Sequence, residues 1–450
     1  MTAPARVAAF HALRAIDNGS ADLPSALSRS RQHLSDERDR ALAADVVTGT
    51  LRSQRSVDHL IEHFAKRSLG KLDADIVTIL RLSLYQLLHL TRVPASAIVD
   101  DAVDLARLAR KPSATGFVNA VLRSTIRQKN HLPLPSRPDD PTDRDAALAY
   151  LGVTHSHPEW LVTRWLDRYG FEATERWVQF NNATPPLTLR VNRLRATREE
   201  ARRILADDGI ETDEAPAAPD GLVVAAGNPL RRLPDGLFFV QDEASQLVAL
   251  VAGARPDERV LDLCAAPGGK TTAMAAMMAD RGVIVASDVR AKRIRLLHDT
   301  VRLSGSRHTH VVQVPARGPL PFTDTFDCVL VDAPCSGLGT IRRDPDIRWR
   351  RHDRDLVALA DGQIDLLERA AGAVVPGGRL VYATCSSEPE ENDDVVGRFL
   401  ERHTEFTLSP VAQPVLTRFI DQRGMFRTLP FAHGLEAFFA AVLVRRVDVR

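Results

Sequence analysis

At 450 residues, 44% hydrophobic and 26% charged, the chain has the composition of a globular protein but is too long for a single core, so two or three domains are expected. The 59 Lys and Arg against 58 Asp and Glu leave a net charge of +1, which offers nucleic acid no global attraction. No uninterrupted apolar run reaches ~18 residues, Arg6, His11, Arg14 and Asp17 break up the N-terminal apolar residues, and the four cysteines match neither a disulfide framework nor a zinc site; membrane-spanning, secreted and metal-binding classes are set aside and a reducing cytoplasm is expected.

Residues 1–130 read as wholly helical. Ile76, Leu80, Leu84, Leu87 and Leu88 recur at helical spacing, as do Phe117, Val118, Val121, Leu122 and Ile126, with Pro94 and Pro112 as punctuation. This part is basic, with 19 Lys and Arg against 13 Asp and Glu. The Pro- and Asp-rich stretch 131–145 reads as a linker. A small α/β subdomain follows over 146–235. Its strands are PPLTLRVN and LVVAA, and its helix, TREEARRILADDG, opens on a Thr197 cap with Glu200 three residues on.

From 236 to 450, strands at Val260–Leu263, Val283–Ser287, His310–Val314, Cys328–Ala333 and Leu380–Thr384 alternate with helical segments. That alternation predicts an α/β domain on a parallel sheet with right-handed crossovers. The first strand runs into VLDLCAAPGGKTT, a Gly-rich strand-to-helix turn that lets backbone amides approach a ligand. A phosphate loop would need glycine where Cys264 stands, and no G-x-G-x-x-G is present, which leaves a nucleoside cofactor without pyrophosphate, S-adenosylmethionine being the natural candidate. Asp288, about 20 residues on, ends the second strand where a carboxylate can accept both ribose hydroxyls; the alternative is that it caps the next helix.

Cys335 and Cys385 each stand just past a predicted strand, among turn residues. Chemistry in open α/β sheets collects at the carboxyl ends of strands, so two thiols brought to that edge suggest covalent catalysis. Cys264 and Cys328 lie within strand patterns and read as small buried hydrophobes. Arg342, Arg343, Arg348, Arg350, Arg351 and Arg354 follow Cys335; the run is either a solvated face or, with Arg342, Arg343 and Arg348 foremost, a contact for phosphate.

Three segments, LCAAPGGKT, VDAPCSGLGTIRRDPDIRW and YATCSSEPEEN, resemble the consecutive motifs of the RNA 5-methylcytosine methyltransferases of the NOL1/NOP2/Sun family, and Phe239–Ala249 resembles the segment preceding that family's cofactor turn. The N-terminal part resembles NusB, an RNA-binding fold, closest in KPSATGFVNAVLR; the pairing is that of the bacterial Sun/RsmB branch. The resemblance covers essentially the whole chain. It implies a multidomain protein: a NusB-like helical domain, a small RRM-like α/β subdomain and a Rossmann-like methyltransferase domain acting on 16S ribosomal RNA, as a monomer without metal. By the same resemblance Cys385 is the nucleophile, Cys335 assists product release, and Asp332 lies between base and cofactor. Cys264, Ala265, Ala266, Pro267, Gly268, Gly269, Lys270, Asp288 and Asp332 would hold S-adenosylmethionine. One departure stands out: after the third strand Pro315, Ala316 and Arg317 replace the usual Asp near the adenine. Near the C-terminus, His433–Arg446 is expected to form a hairpin, with Glu436 and Ala437 in place of Asp-Gly.

Overall fold

A computed structural model describes residues 3–323 and 325–447. It contains two compact units: Met1–Thr184 with Ile341–Asp353, and Pro185–Thr340 with Arg354–Arg450.

The first unit is helical. Its centre is the helix Ala74–His89, which Asp73 caps by accepting the Asp75 amide and which buries Ile76, Leu80, Leu84 and Leu87. The flanking helices Pro4–Asp17, Glu37–Arg52, Ala95–Leu108 and Thr115–Arg127 complete one core with it. A Cβ at Gly49 would sit 1.9 Å from the Tyr85 ring, so only glycine lets that helix approach so closely. Two details depart from the expected faces: Leu88 is half-buried and Ile126 is exposed, the last helix burying Thr125 instead.

The boundaries expected at 130 and 145 do not coincide with the division into units, which falls after Thr184. The stretch 131–145 has little regular structure but is tied down. Thr154 Oγ1 donates to the Pro135 carbonyl at 2.6 Å, and Arg137 forms ion pairs with Glu172 and Glu175 at 2.8 and 3.0 Å. Beyond it, the helices Glu159–Tyr169 and Phe171–Asn182 stack Trp165 on Trp177 with centroids 4.4 Å apart, part of the first unit's interior.

Within the arginine run Arg348 is structural, which corrects its reading as a phosphate contact. Arg348 is fully buried, donating to the Ser156 carbonyl at 2.8 Å and Asn182 Oδ1 at 3.0 Å. Arg342 lies 4.3 Å from the Phe180 ring centroid and donates to the Thr184 carbonyl at 2.9 Å, while Arg350 pairs with buried Asp346 at 2.8 Å. Trp349 Nε1 donates to the Leu51 carbonyl and the Leu23 amide to Asp346, which fastens Ile341–Asp353 into this unit.

The second unit contains two sheets. The smaller is antiparallel in the order β2-β3-β1-β4, with β1 Thr188–Val191, β2 Glu211–Glu214, β3 Gly221–Ala226 and β4 Phe238–Val240. Its helix Arg198–Asp207 carries the expected capping box between Thr197 and Glu200. Strand β2 reads ETDE and has no apolar alternation to announce it.

The larger sheet comprises β5 Arg259–Asp262, β6 Val283–Asp288, β7 Thr309–Gln313, β8 Phe326–Asp332, β9 Val374–Thr384, β10 Phe406–Ser409, β11 Phe426–Arg427 and β12 Phe439–Arg445. Its order is β10-β12-β9-β8-β5-β6-β7, parallel from β9 to β7. The five strands expected from the alternation, β5 to β9, are the parallel ones, and β12 runs antiparallel to β9 and β10. His433–Arg446 supplies only that one strand. Its hairpin partner is β11, and Pro430–His433 is a short helix. Val329, Leu330 and Val331 are fully buried, as a central parallel strand covered on both faces requires.

Candidate active site

Parallel pairing places Asp262 beside Leu330 and Asp332 beside Ala383, so β5, β6, β8 and β9 deliver Asp262, Asp288, Asp332 and Cys385 to one edge. Between β5 and the helix Gly269–Met277, the Ala265 amide donates to the Ser287 carbonyl at 2.9 Å and the Gly268 amide to the Ala265 carbonyl at 2.7 Å. Gly268 has φ +107, and a Cβ there would lie 3.0 Å from Leu297 and 3.1 Å from Thr300. Cys264 stands in this turn rather than inside the strand. Burial pushes its thiol up to about 12, which leaves it an inert hydrophobe. Cys328, inside β8, is fully buried.

Arg190, which sequence reasoning passed over, braces the turn from the smaller sheet. Buried and lying 5.1 Å from the Phe239 ring centroid, it donates to Gln241 Oε1 at 2.6 Å, Thr272 Oγ1 at 2.7 Å and the Gly269 carbonyl at 3.1 Å. A cation with three acceptors in a strand reading TLRVN gave no advance sign of this role.

Lys270 points across to β8, where its Nζ lies 2.6 Å from Asp332 Oδ2. Burial works against its charge, but Asp332 holds the ammonium above the ordinary lysine value. Asp262 is fully buried, and burial, partly offset by the Thr271 hydroxyl at 2.7 Å, pushes its carboxyl up to about 7.

Cys335 and Cys385 converge with their sulfurs 3.2 Å apart. The hydrogen bond to Cys385, then burial, raises the Cys335 thiol well above its ordinary value. Beneath them the Gly339 amide donates to the Cys385 carbonyl at 2.9 Å, and a Cβ on Gly339 would sit 1.9 Å from the Ala437 carbonyl oxygen. Glycine is required at that close approach. Where the third-strand Asp is missing, the Arg369 guanidinium holds the loop, donating to the carbonyls of Pro315, Ala316 and Gly318 at 2.6, 3.2 and 2.8 Å.

Among the described residues, no helix is long and apolar enough to cross a membrane, and no group of three or more His, Cys, Asp or Glu is placed to hold a metal ion.

Known proteins carry the same parts in the same order. Residues 3–127 match the NusB family, 157–231 the ferredoxin-like domain of the RsmF/B-like methyltransferases, and 249–444 the 16S rRNA methyltransferase RsmB/F family. The probable ribosomal RNA small subunit methyltransferase B of Bacillus subtilis is 35% identical over 90% of this chain and 90% of its own length. The chain belongs to the RsmB/F family of 16S rRNA methyltransferases. The Pseudomonas putida ribosomal RNA small subunit methyltransferase B is 38% identical over 88% of this chain and 89% of its own. The crystal structure of PH0851 superposes with a TM-score of 0.79 at 28% identity, covering 98% of this chain and 99% of that one.

RsmB/F enzymes are S-adenosylmethionine-dependent, and the residues present here fit that cofactor. Asp288 is buried at 3% exposure, with Arg293 at 3.5 Å, yet its Oδ2 has no hydrogen-bond partner; it suits a ribose hydroxyl. The neighbouring turn presents the N-terminus of a nine-residue helix. Gly268→Ala should weaken S-adenosylmethionine binding at least about tenfold and lower the melting temperature, since a side chain at that φ carries about 1–3 kcal/mol of strain. Unchanged affinity by calorimetric titration would refute it.

Proposed function

We propose that this protein methylates C5 of a cytosine in small-subunit ribosomal RNA, working in the cytoplasm through a covalent bond between Cys385 and C6 of the base. The observation that carries this reading is the 3.2 Å pair of thiols at the sheet edge that also bears Asp288 and the Lys270–Asp332 pair.

C5 of cytosine is too weak a nucleophile to take a methyl group unaided. Cys385, as thiolate, adds to C6 and moves an electron pair onto C5. S-adenosylmethionine, when bound, supplies an electrophilic methyl group. The turn Cys264–Lys270 and the carboxylates of Asp288 and Asp332 hold that cofactor, and Asp332 also faces the polar N3–N4 edge of the base. Once C5 carries the methyl, its proton leaves to solvent, the C5–C6 double bond reforms and the C6–S bond breaks with its electron pair returning to Cys385. The Cys335 S–H stabilises that departing thiolate by hydrogen bonding. Lys270 keeps the Asp332 carboxylate oriented throughout.

The target base must be unstacked for a thiol to reach C6, so a looped or single-stranded cytosine is the substrate. The basic first unit contributes phosphate contacts, and binding should weaken with salt. The test incubates the protein with isotopically labelled S-adenosylmethionine and 16S RNA, then digests the RNA to nucleosides. Labelled 5-methylcytidine is expected; label on any other nucleoside, or none, overturns the reading.

A further inference from the structure

Each of the two cysteines is followed by a serine, and both serines end on one carboxylate. Glu391 Oε2 accepts Ser336 Oγ and Ser386 Oγ, each at 2.5 Å, while Oε1 accepts the Ser336 amide at 2.7 Å and Gln363 Nε2 at 3.0 Å. Gln363 Nε2 also reaches the Pro334 carbonyl at 3.1 Å, and the Tyr382 hydroxyl donates to Gln363 Oε1 and to the Glu391 carbonyl. The residues on either side of Cys335 and the one after Cys385 thus share a single hub. Glu391 and Gln363 are fully buried and Ser336 and Ser386 nearly so. A carboxylate offers about four lone-pair sites, and four donors fill them. Burying a charge is costly, and two loops could be joined by neutral groups at lower cost. The charge itself therefore calls for a role.

The groups facing the thiols supply one. Cys335 faces Cys385 and Tyr382 from β9 and Glu391 from the turn Pro389–Glu391, and the charge of Glu391 disfavours a thiolate at Cys335. Lys270, paired with Asp332, places a positive charge at the sheet edge that carries Cys385. We infer that Glu391 is a positioning residue: its hydrogen bonds set the separation of the two thiols, and its charge keeps their shared proton on Cys335 so that Cys385 is the nucleophile. This rests on the assignment of Cys385 above.

The experiment measures iodoacetamide alkylation of each cysteine across pH 5–10 by peptide mass spectrometry, using the full chain without RNA or cofactor. Wild type should alkylate Cys385 first. Glu391→Gln, nearly isosteric and uncharged, should move the Cys335 profile about one pH unit lower and reduce the preference for Cys385 about tenfold. Glu391→Asp should restore the order of the two profiles while methyl transfer stays low, because the charge returns at the wrong distance. An unchanged Cys335 profile in folded Glu391→Gln overturns the inference. If that variant does not fold, Ser336→Ala and Ser386→Ala, each removing one 2.5 Å bond, replace it. Each should then lower kcat about tenfold with cofactor affinity unchanged, and an unaltered kcat in both overturns the positioning role. Alkylation does not depend on catalysis. A shifted profile in Glu391→Gln alongside full activity in Cys385→Ala would therefore refute the nucleophile and leave the thiol ordering intact.

Discussion

Cys385→Ala is expected to abolish methyl transfer, with a loss on the order of 10⁴-fold or more, while Cys335→Ala should accumulate RNA bound covalently to the protein. The asymmetry follows from where the proton sits. Cys335 and Cys385 share a hydrogen bond across 3.2 Å, and that bond and burial raise the Cys335 thiol. Without Cys385 no other thiol holds the nucleophile's place, and removing a nucleophile raises the barrier by more than about 5 kcal/mol. Without Cys335 addition still proceeds. The departing thiolate then loses its hydrogen-bond donor, elimination slows, and the C6–S bond persists. A denaturing gel with labelled RNA should show a shifted band for Cys335→Ala and none for Cys385→Ala. The reverse pattern would exchange the two roles, and methylation undiminished in Cys385→Ala would end the covalent mechanism.

The second large effect concerns stability. Arg348→Ala should destabilise the first unit by about 3–5 kcal/mol, seen as an earlier first transition in scanning calorimetry. Arg348 is fully buried and reaches the Ser156 carbonyl, Asn182 Oδ1 and, at 3.4 Å, the carbonyls of Arg52 and Asn181. Truncation leaves those acceptors unpaired around a cavity the size of the side chain. Burial pushes the guanidinium down to about 9, so the native protein already bears the cost of dehydrating a charge there. Arg348→Met removes that cost and refills much of the cavity, and should recover roughly half of the loss. A loss under about 1 kcal/mol for the alanine variant would mean that water replaces the guanidinium.

The parallel strands of the larger sheet were legible because strands buried on both faces leave unbroken apolar runs, such as VLV at Val329–Val331, whereas β10 and β11 were not. The smaller sheet was half legible. Strands β1 and β3 carry apolar residues, but β2 pairs along one side only and tolerates an all-polar sequence. In PEEN, both glutamates look like a solvated turn. Glu391 is fully buried and Glu390 is not, a difference made by Ser336, 55 positions away. Arg348 misled for the same reason, since its partners are 166 to 296 positions distant.

By itself, then, the sequence determined the order of helical, small α/β and larger α/β regions, the glycine-bearing cofactor turn, and the arrival of two thiols and two aspartates at strand ends. These are local matters of periodicity and turn chemistry, settled within a few residues. Only the tertiary structure decided that the thiols meet at 3.2 Å, that Lys270 pairs with Asp332, that Glu391 joins the two cysteine loops and that Arg348 is buried. Each of those depends on which polar groups lose water together. That is fixed by contacts between distant segments, and no local pattern encodes it.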